Sequence, residues 1–239
     1  MIRHKGEVST RLIIVLTIVG VLVVAAVPLG FYIYTPLTKL FKNPERFKLA
    51  WEETFEGGKF SESWTTWGNV KITKDAARSG DWGYHGFGSL THYGSCGLTR
   101  QFEIKPPFRV EVDMKNGDEP FGMGGLDGRG CIYVWETGRR DHGLDIFQFG
   151  DEKVLRFCGK LYKKHKWVPD KWYRISVLCE KVGGKFRVTP TVNGKKLPPT
   201  AIPLRRWMKD WKNGNLAIVS SSGTCLIDNI RVYRVVEDD

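Results

Sequence analysis

Ligands for a metal or a phosphate are scarce in this chain. None of the five cysteines (Cys96, Cys131, Cys158, Cys179, Cys225) forms a Cys-x-x-Cys pair, and no histidine stands at metal-ligand spacing. Zinc is held by ligands grouped in such patterns, so no zinc site is expected. No Ser/His/Asp order stands out. The stretch GMGGLDGRG (Gly122–Gly130) is rich in glycine but leads toward a strand, not a helix. A phosphate cradle is therefore not expected either. No cofactor is expected, and structural calcium is the one ion left open. Beyond Ala50 there is no second long apolar run and no long polar tract. Apolar residues recur throughout, which excludes extended disorder. At 239 residues the chain can build one large β domain or two small ones.

The one long apolar run is LIIVLTIVGVLVVAAVPLGFYIY, Leu12–Tyr34, 23 residues without a charge. At about 1.5 Å per residue a helix of this length covers a hydrocarbon core of roughly 30 Å. Tyr32 and Tyr34 suit the interfacial zone at one end, and Pro28 is a kink that lipid tolerates. A cleaved secretory signal has a shorter apolar region and a small-x-small site, which is lacking here. The run is read as a single transmembrane helix. Residues 1–11 form a basic cytoplasmic leader, 35–49 a juxtamembrane linker broken by Pro36 and Pro44, and 50–239 an extracytoplasmic domain at the cell membrane.

The net charge of +11 follows this division. Arg3, Lys5, Arg11, Lys39, Lys42, Arg46 and Lys48 stand against only Glu7 and Glu45, so +5 of the +11 flanks the apolar run. Basic residues there meet anionic head groups. The basic balance thus points to membrane lipid as partner through residues 12–34, and no nucleic acid is expected. An exported domain could oxidise up to two cysteine pairs, and the connectivity is left open.

The segment KGEVSTRLIIVLTIVGVLVVAAVP resembles the N-terminus of type IV pilins and pseudopilins. Taking Gly6 as the leader glycine, Gly20 and Pro28 fall fourteen and twenty-two residues later, as in that family. Arg11 stands where the family carries glutamate, and Glu7 where it carries an aromatic. The resemblance implies a leader cut after Gly6 and a filament subunit.

Beyond residue 50, short β-branched and aromatic runs alternate with Gly, Pro, Asn and Asp, the pattern of an all-β sandwich. Strands are expected at Trp51–Glu56, Val70–Lys74, Gly97–Ile104, Phe108–Lys115, Cys131–Glu136, Leu144–Phe149, Lys153–Cys158, Trp172–Cys179, Lys185–Val192, Asn215–Ser220 and Thr224–Val235. In Phe108–Lys115, Phe108, Val110, Val112 and Met114 share one face, and Arg109, Glu111, Asp113 and Lys115 the other, predicting a solvated polar side. Asn193-Gly194 and Gly183-Gly184 read as hairpin turns. Only Leu204–Lys212 looks helical.

Three segments resemble concanavalin A-like lectin/glucanase (LamG-like) domains: WEETFEGG…W, KWYRISVLCEKVGGKFRVTPTVNGKKL and GNLAIVSSSGTCLIDNIRVYRV. The resemblance implies a two-sheet antiparallel jelly roll whose first and last strands pair, with a face that holds an extended glycan. Hydrolases of that superfamily carry Glu-x-Asp-x-Glu on one strand face. The nearest match here, Glu111-Val-Asp113-Met-Lys115, breaks at its third position, which favours a non-catalytic domain.

Sugars need an aromatic platform beside hydrogen-bonding groups. Two segments offer one: Trp82, Tyr84 and His85, and Tyr133, Trp135, Glu136, Arg139, Arg140, Asp141 and His142. Glu136, Asp141 and Asp145 are the weak catalytic candidates should the domain be a glycoside hydrolase. The basic runs KLYKKHK (Lys160–Lys166) and LRRWMKDWK (Leu204–Lys212) suit an acidic polysaccharide, or else a solvated hairpin and a surface helix. The reading is a membrane-anchored carbohydrate-binding domain. The alternatives are a hydrolase with an atypical carboxylate pair and a structural surface subunit.

Overall fold

The computed structural model describes residues 47–88, 96–102, 105–117, 130–136, 143–150, 153–209, 211, 214–220 and 223–235. The expected transmembrane helix and the pilin-like leader lie outside the described residues. Residues 47–239 form a compact unit of their own.

The described strands are β1 (Phe47–Glu53), β2 (Thr65–Trp67), β3 (Asn69–Thr73), β4 (Gly83–Gly88), β5 (Cys96–Phe102), β6 (Phe108–Asn116), β7 (Cys131–Glu136) and β8 (Gly143–Phe149). They continue with β9 (Val154–Phe157), β10 (Lys160–Lys166), β11 (Trp172–Val182), β12 (Lys185–Val192), β13 (Lys195–Lys196), β14 (Thr200–Pro203), β15 (Gly214–Ser220) and β16 (Gly223–Val235). One short helix, α1 (Arg206–Lys209), falls inside the stretch expected to be helical.

The strands make two antiparallel sheets. The nine-stranded sheet runs β13-β12-β11-β6-β16-β4-β3, with β1 added to β16 and β14 to β12. The seven-stranded sheet runs β10-β9-β8-β7-β15-β5-β2. First and last strands pair from Phe47 opposite Val235 to Glu53 opposite Ile230, as the resemblance implied. The all-β two-sheet sandwich is therefore present.

Alternation sets the core. Phe108, Val110, Val112 and Met114 of β6 point inward and meet Ile175, Val177 and Cys179 of β11 and Ile230 and Val232 of β16. Residues two apart on a strand share a face, so one apolar row per strand suffices to seal a sheet. At the seven-stranded sheet's β8-β9 side an aromatic stack fills the interior. Phe149 lies edge-on to Trp167 at 5.3 Å and to Tyr173 at 5.8 Å, and Phe147 packs on Phe157 at 5.2 Å. Offset and edge-on arrangements of this kind are the favourable ones.

Asn193 (φ 48°) and Gly194 (φ 79°) form the turn between β12 and β13. Both need positive φ, which Asn and Gly tolerate. The Asn193 side chain also accepts the Arg174 backbone N–H at 2.8 Å, tying the turn to β11.

Three expectations change. The Gly83–Gly88 segment, part of a stretch offered as an aromatic platform for a sugar, is strand β4 and carries Tyr84 into the core. The basic run Lys160–Lys166 is the outer strand of the β9-β10 hairpin and is not wholly solvated: Tyr162 is buried and its hydroxyl donates to the Pro198 carbonyl at 2.7 Å. The outer face of β6 is not a plain solvated face either. Asp113 is only 1% exposed and lies beneath Arg78 and Arg174. Alternation tells which way a side chain points, but not that the segment around Arg78 crosses over it.

All five cysteines carry free thiols. Strand β8 separates β7, which carries Cys131, from β9, which Cys158 follows directly.

Candidate functional site

The outer face of the seven-stranded sheet is built by the residues that alternate with the core set. Register places Thr65 and Trp67 of β2 beside Thr99 and Gly97 of β5. Across β5 lie Ala217 and Val219 of β15, then Tyr133 and Cys131 of β7. Asp145 and Gln148 of β8 stand opposite Tyr133 and Cys131, with a register irregularity between the two pairs. Arg156 of β9 pairs with Gln148 and reaches its side-chain oxygen at 3.3 Å.

Toward one end of this face a cleft of about 540 Å³ opens. Its lining includes Tyr133, Asp145, Cys158 and Gly159 on one side and Ile202, Pro203 and Arg205 on the other. The second wall is the β14-α1 segment, brought there by the pairing of β14 with β12. Ligand sites commonly occupy about 300–1,000 Å³, so the volume suits one.

Burial sets the protonation of the lining. It pushes the Asp145 carboxyl above its usual range, opposed by a hydrogen bond from the Cys131 thiol and by the charge of Arg156. It also raises the Tyr133 phenol, and the Asp145 charge adds to that. Cys158 is pushed up to about 12 and Cys131 well above the ordinary thiol value, both chiefly by burial. These thiols stay protonated at neutral pH, which removes them as nucleophiles.

Gly143 makes room for Tyr133. A Cβ there would stand 1.7 Å from the ring carbon bearing the hydroxyl. Gly143→Ala is expected to displace the Tyr133 ring while leaving the β-sheet circular dichroism spectrum intact. Near-ultraviolet circular dichroism of the folded variant checks this.

Asp145 also makes stability depend on pH. Its folded-state pKa lies above the unfolded value, so the native state holds the proton more tightly. That contribution is complete below the ordinary carboxylate value and is lost as pH rises through the folded pKa. Asp145→Asn is expected to melt a few degrees above the parent at pH 8 and to lose this advantage near pH 4. Thermal unfolding at both pH values measures it.

The described residues of the two aromatic segments picked out in the sequence lie on different sheets. Trp82, Tyr84 and His85 belong to the region of the nine-stranded sheet. Tyr84 is fully buried in the core, so it cannot present a ring face to a ligand. Trp82 packs under Gly58 with Lys74 above its ring at 5.4 Å. His85 stands on β4 opposite Leu226 and Lys71. Of the second segment, Tyr133 lines the cleft. Glu136 ends β7 with its backbone opposite Gly214. Arg139, Arg140, Asp141 and His142 lie outside the described residues, as do the side chains of Trp135 and Glu136. Cys158 and Ile202 were not singled out as ligand-binding residues, and Arg205 only as part of the basic run Leu204–Lys212. They are far from Tyr133 in sequence, and only the sheet order brings them to it.

No family model and no curated protein matches the sequence. Solved structures do match the fold. An endo-acting O-glycanase of the human gut microbiota aligns at a TM-score of 0.54 with 12% identity, over 79% of this chain and all of the other. The fold is that of concanavalin A-like lectins and glucanases. Winged bean acidic lectin, solved with methyl-α-D-galactose, aligns at a TM-score of 0.51 with 8% identity, covering 79% of this chain and 99% of its own. At such identities the likeness concerns the concanavalin A-like fold alone.

The hydrolytic chemistry of such folds needs two carboxylates about 5 Å apart when configuration is retained. Among the described residues of the outer face, Asp145 is the single carboxylate. Glu111 and Asp113 stand on the outer face of the other sheet, engaged with Arg109, Ser176 and Tyr233, and with Arg78, Arg174 and Asn229 respectively.

Proposed function

We propose that this chain is a membrane-anchored, extracytoplasmic glycan-binding domain without hydrolytic activity. The observation that carries the reading is the cleft on the seven-stranded sheet. It sets an aromatic ring (Tyr133) and an apolar wall (Ile202, Pro203) beside polar groups (Asp145, Arg205). A sugar offers a C–H face for the first and hydroxyls for the second. The fold supports the reading, because its solved neighbours include a lectin bound to a galactoside. The break of the Glu-x-Asp-x-Glu pattern at Lys115 supports binding over hydrolysis. The uncharged run Leu12–Tyr34 supports the anchor.

The test is a glycan array probed with the full-length chain in neutral detergent, followed by titration of the hits. Saturable binding that Tyr133→Ala reduces at least tenfold is the expected result. Binding to no glycan would overturn the reading, and release of reducing ends would select a hydrolase instead. The anchor is tested separately: carbonate washing at high pH should leave the chain in the membrane pellet.

A further inference from the structure

One basic stretch of the sequence contributes to the cleft, and a second begins directly after another part of its lining. Arg205 lines it, followed by Arg206 and Lys209 of α1, all exposed. On the opposite lip the Cys158-Gly159 turn also lines it. That turn leads directly into β10, where Lys160, Lys163, Lys164 and Lys166 are exposed. The hydroxyl of Tyr162 ties this strand to Pro198, just before β14, and so holds the two lips together.

Arg205 has no carboxylate partner among the described residues. Burial raises the Tyr133 phenol and the Cys158 thiol, and the Arg205 charge opposes that rise. The guanidinium belongs to the cleft lining, and no counter-ion meets it among the described residues. Asp145, the one acidic side chain among the described lining residues, accepts a hydrogen bond from the Cys131 thiol and faces the Arg156 charge. A neutral sugar would leave Arg205 without a matching charge. An anionic substituent would meet a planar donor that fits carboxylate and sulfate bidentately.

We infer that the cleft takes a glycan bearing an anionic group, a uronate carboxylate or a sulfate ester, with Arg205 as the residue that recognises the charge. The sugar's apolar face rests on Tyr133, Ile202 and Pro203. The exposed lysines of β10 and the cations of α1 flank the cleft on both lips and receive further anionic residues of the same polymer. Long-range attraction of this type raises the encounter rate and weakens with salt. This inference rests on the glycan-binding reading above and narrows its ligand.

The experiment compares four oligosaccharides of matched length, titrated into the full-length chain in neutral detergent at 0.15 M salt. They are a polygalacturonate fragment, a dextran fragment, the same dextran sulfated, and a neutral galactan. Variants are Arg205→Ala, Arg205→Lys and the pair Lys163→Ala/Lys164→Ala. The expected result is at least tenfold tighter binding of one anionic probe than of its neutral counterpart. Arg205→Ala should remove that preference and Arg205→Lys restore part of it. The lysine pair should lower affinity only a few-fold, with a shallower salt dependence. Which anionic probe wins tells carboxylate from sulfate. Equal binding of charged and neutral probes overturns the inference while leaving glycan binding intact. So does a preference that survives Arg205→Ala but vanishes in the lysine pair. Failure of all four to bind overturns it too, and if the glycan array also yields no hit, the broader reading falls with it.

Discussion

Replacing Trp167 with alanine is expected to destabilise the domain by about 3–5 kcal/mol, the range for deleting a large buried aromatic. The indole is 1% exposed and stacks edge-on against Phe149. Its Nε1–H donates to the Gly150 carbonyl at 3.0 Å, so the change both opens a cavity and strands an acceptor. The surroundings cannot close the gap cheaply. Phe149 is also held by Tyr173, whose hydroxyl accepts the Val168 backbone N–H at 2.7 Å. Trp167→Phe separates the two parts: it keeps much of the ring and loses only the donor, so it should cost a third or less of the alanine value. Urea unfolding followed by near-ultraviolet circular dichroism gives both. A loss below about 1 kcal/mol for the alanine variant would mean that the aromatic stack does not seal the interior.

Asp113→Ala is expected to come close behind, at about 2–4 kcal/mol. The carboxylate is the hub of a cluster on the outer face of the nine-stranded sheet. Arg174 meets it with two parallel bonds of 2.9 Å, Nε to Oδ1 and Nη2 to Oδ2. Arg78 binds Oδ1, and Asn229 Nδ2 donates to Oδ2 at 3.1 Å. Next to it Asp228 accepts the backbone N–H groups of Arg78 and Ser79, each at 3.0 Å, so the chain around Arg78 is laced onto the sheet by two carboxylates. Removing Asp113 leaves two guanidinium groups without their anion. The arginine side chains are 30% and 49% exposed and can turn to water, which keeps the loss below that of a fully buried pair. The Arg174 coupling is measurable by a double-mutant cycle with Arg174→Ala. A coupling energy near zero would show the bidentate pair to be ornamental. Increased proteolysis near Arg78 in Asp113→Ala would report release of the laced segment.

Much of the β architecture was legible because its signals are local. The alternation in Phe108–Lys115, the Asn193-Gly194 turn and the matched run Lys185–Val192 each follow from the two-residue strand period or from the φ needs of a turn. Strands β2, β4, β13 and β14 were missed, and β10 was read only as part of a solvated hairpin, where that period is short or diluted. Gly83–Gly88 carries three glycines among six residues, Lys160–Lys166 is mostly lysine, and Thr200–Pro203 is only four residues long. The candidate site was legible in one half only. Tyr133 stood out as an aromatic on an alternating strand, whereas Arg205 gave no signal beyond lying in a basic run.

By itself the sequence determined the class of structure: side-chain polarity, branching and turn residues act between near neighbours, and they specify strands, turns and the all-β character. Only the tertiary structure decided which strands adjoin. It made Asp113 a buried hub where alternation implied a wet face, put Tyr84 in the core and not on a ligand platform, and carried Arg205 across to Tyr133. Those outcomes depend on sheet order and on which segment crosses over a face, contacts spanning tens to more than a hundred residues that no local pattern encodes.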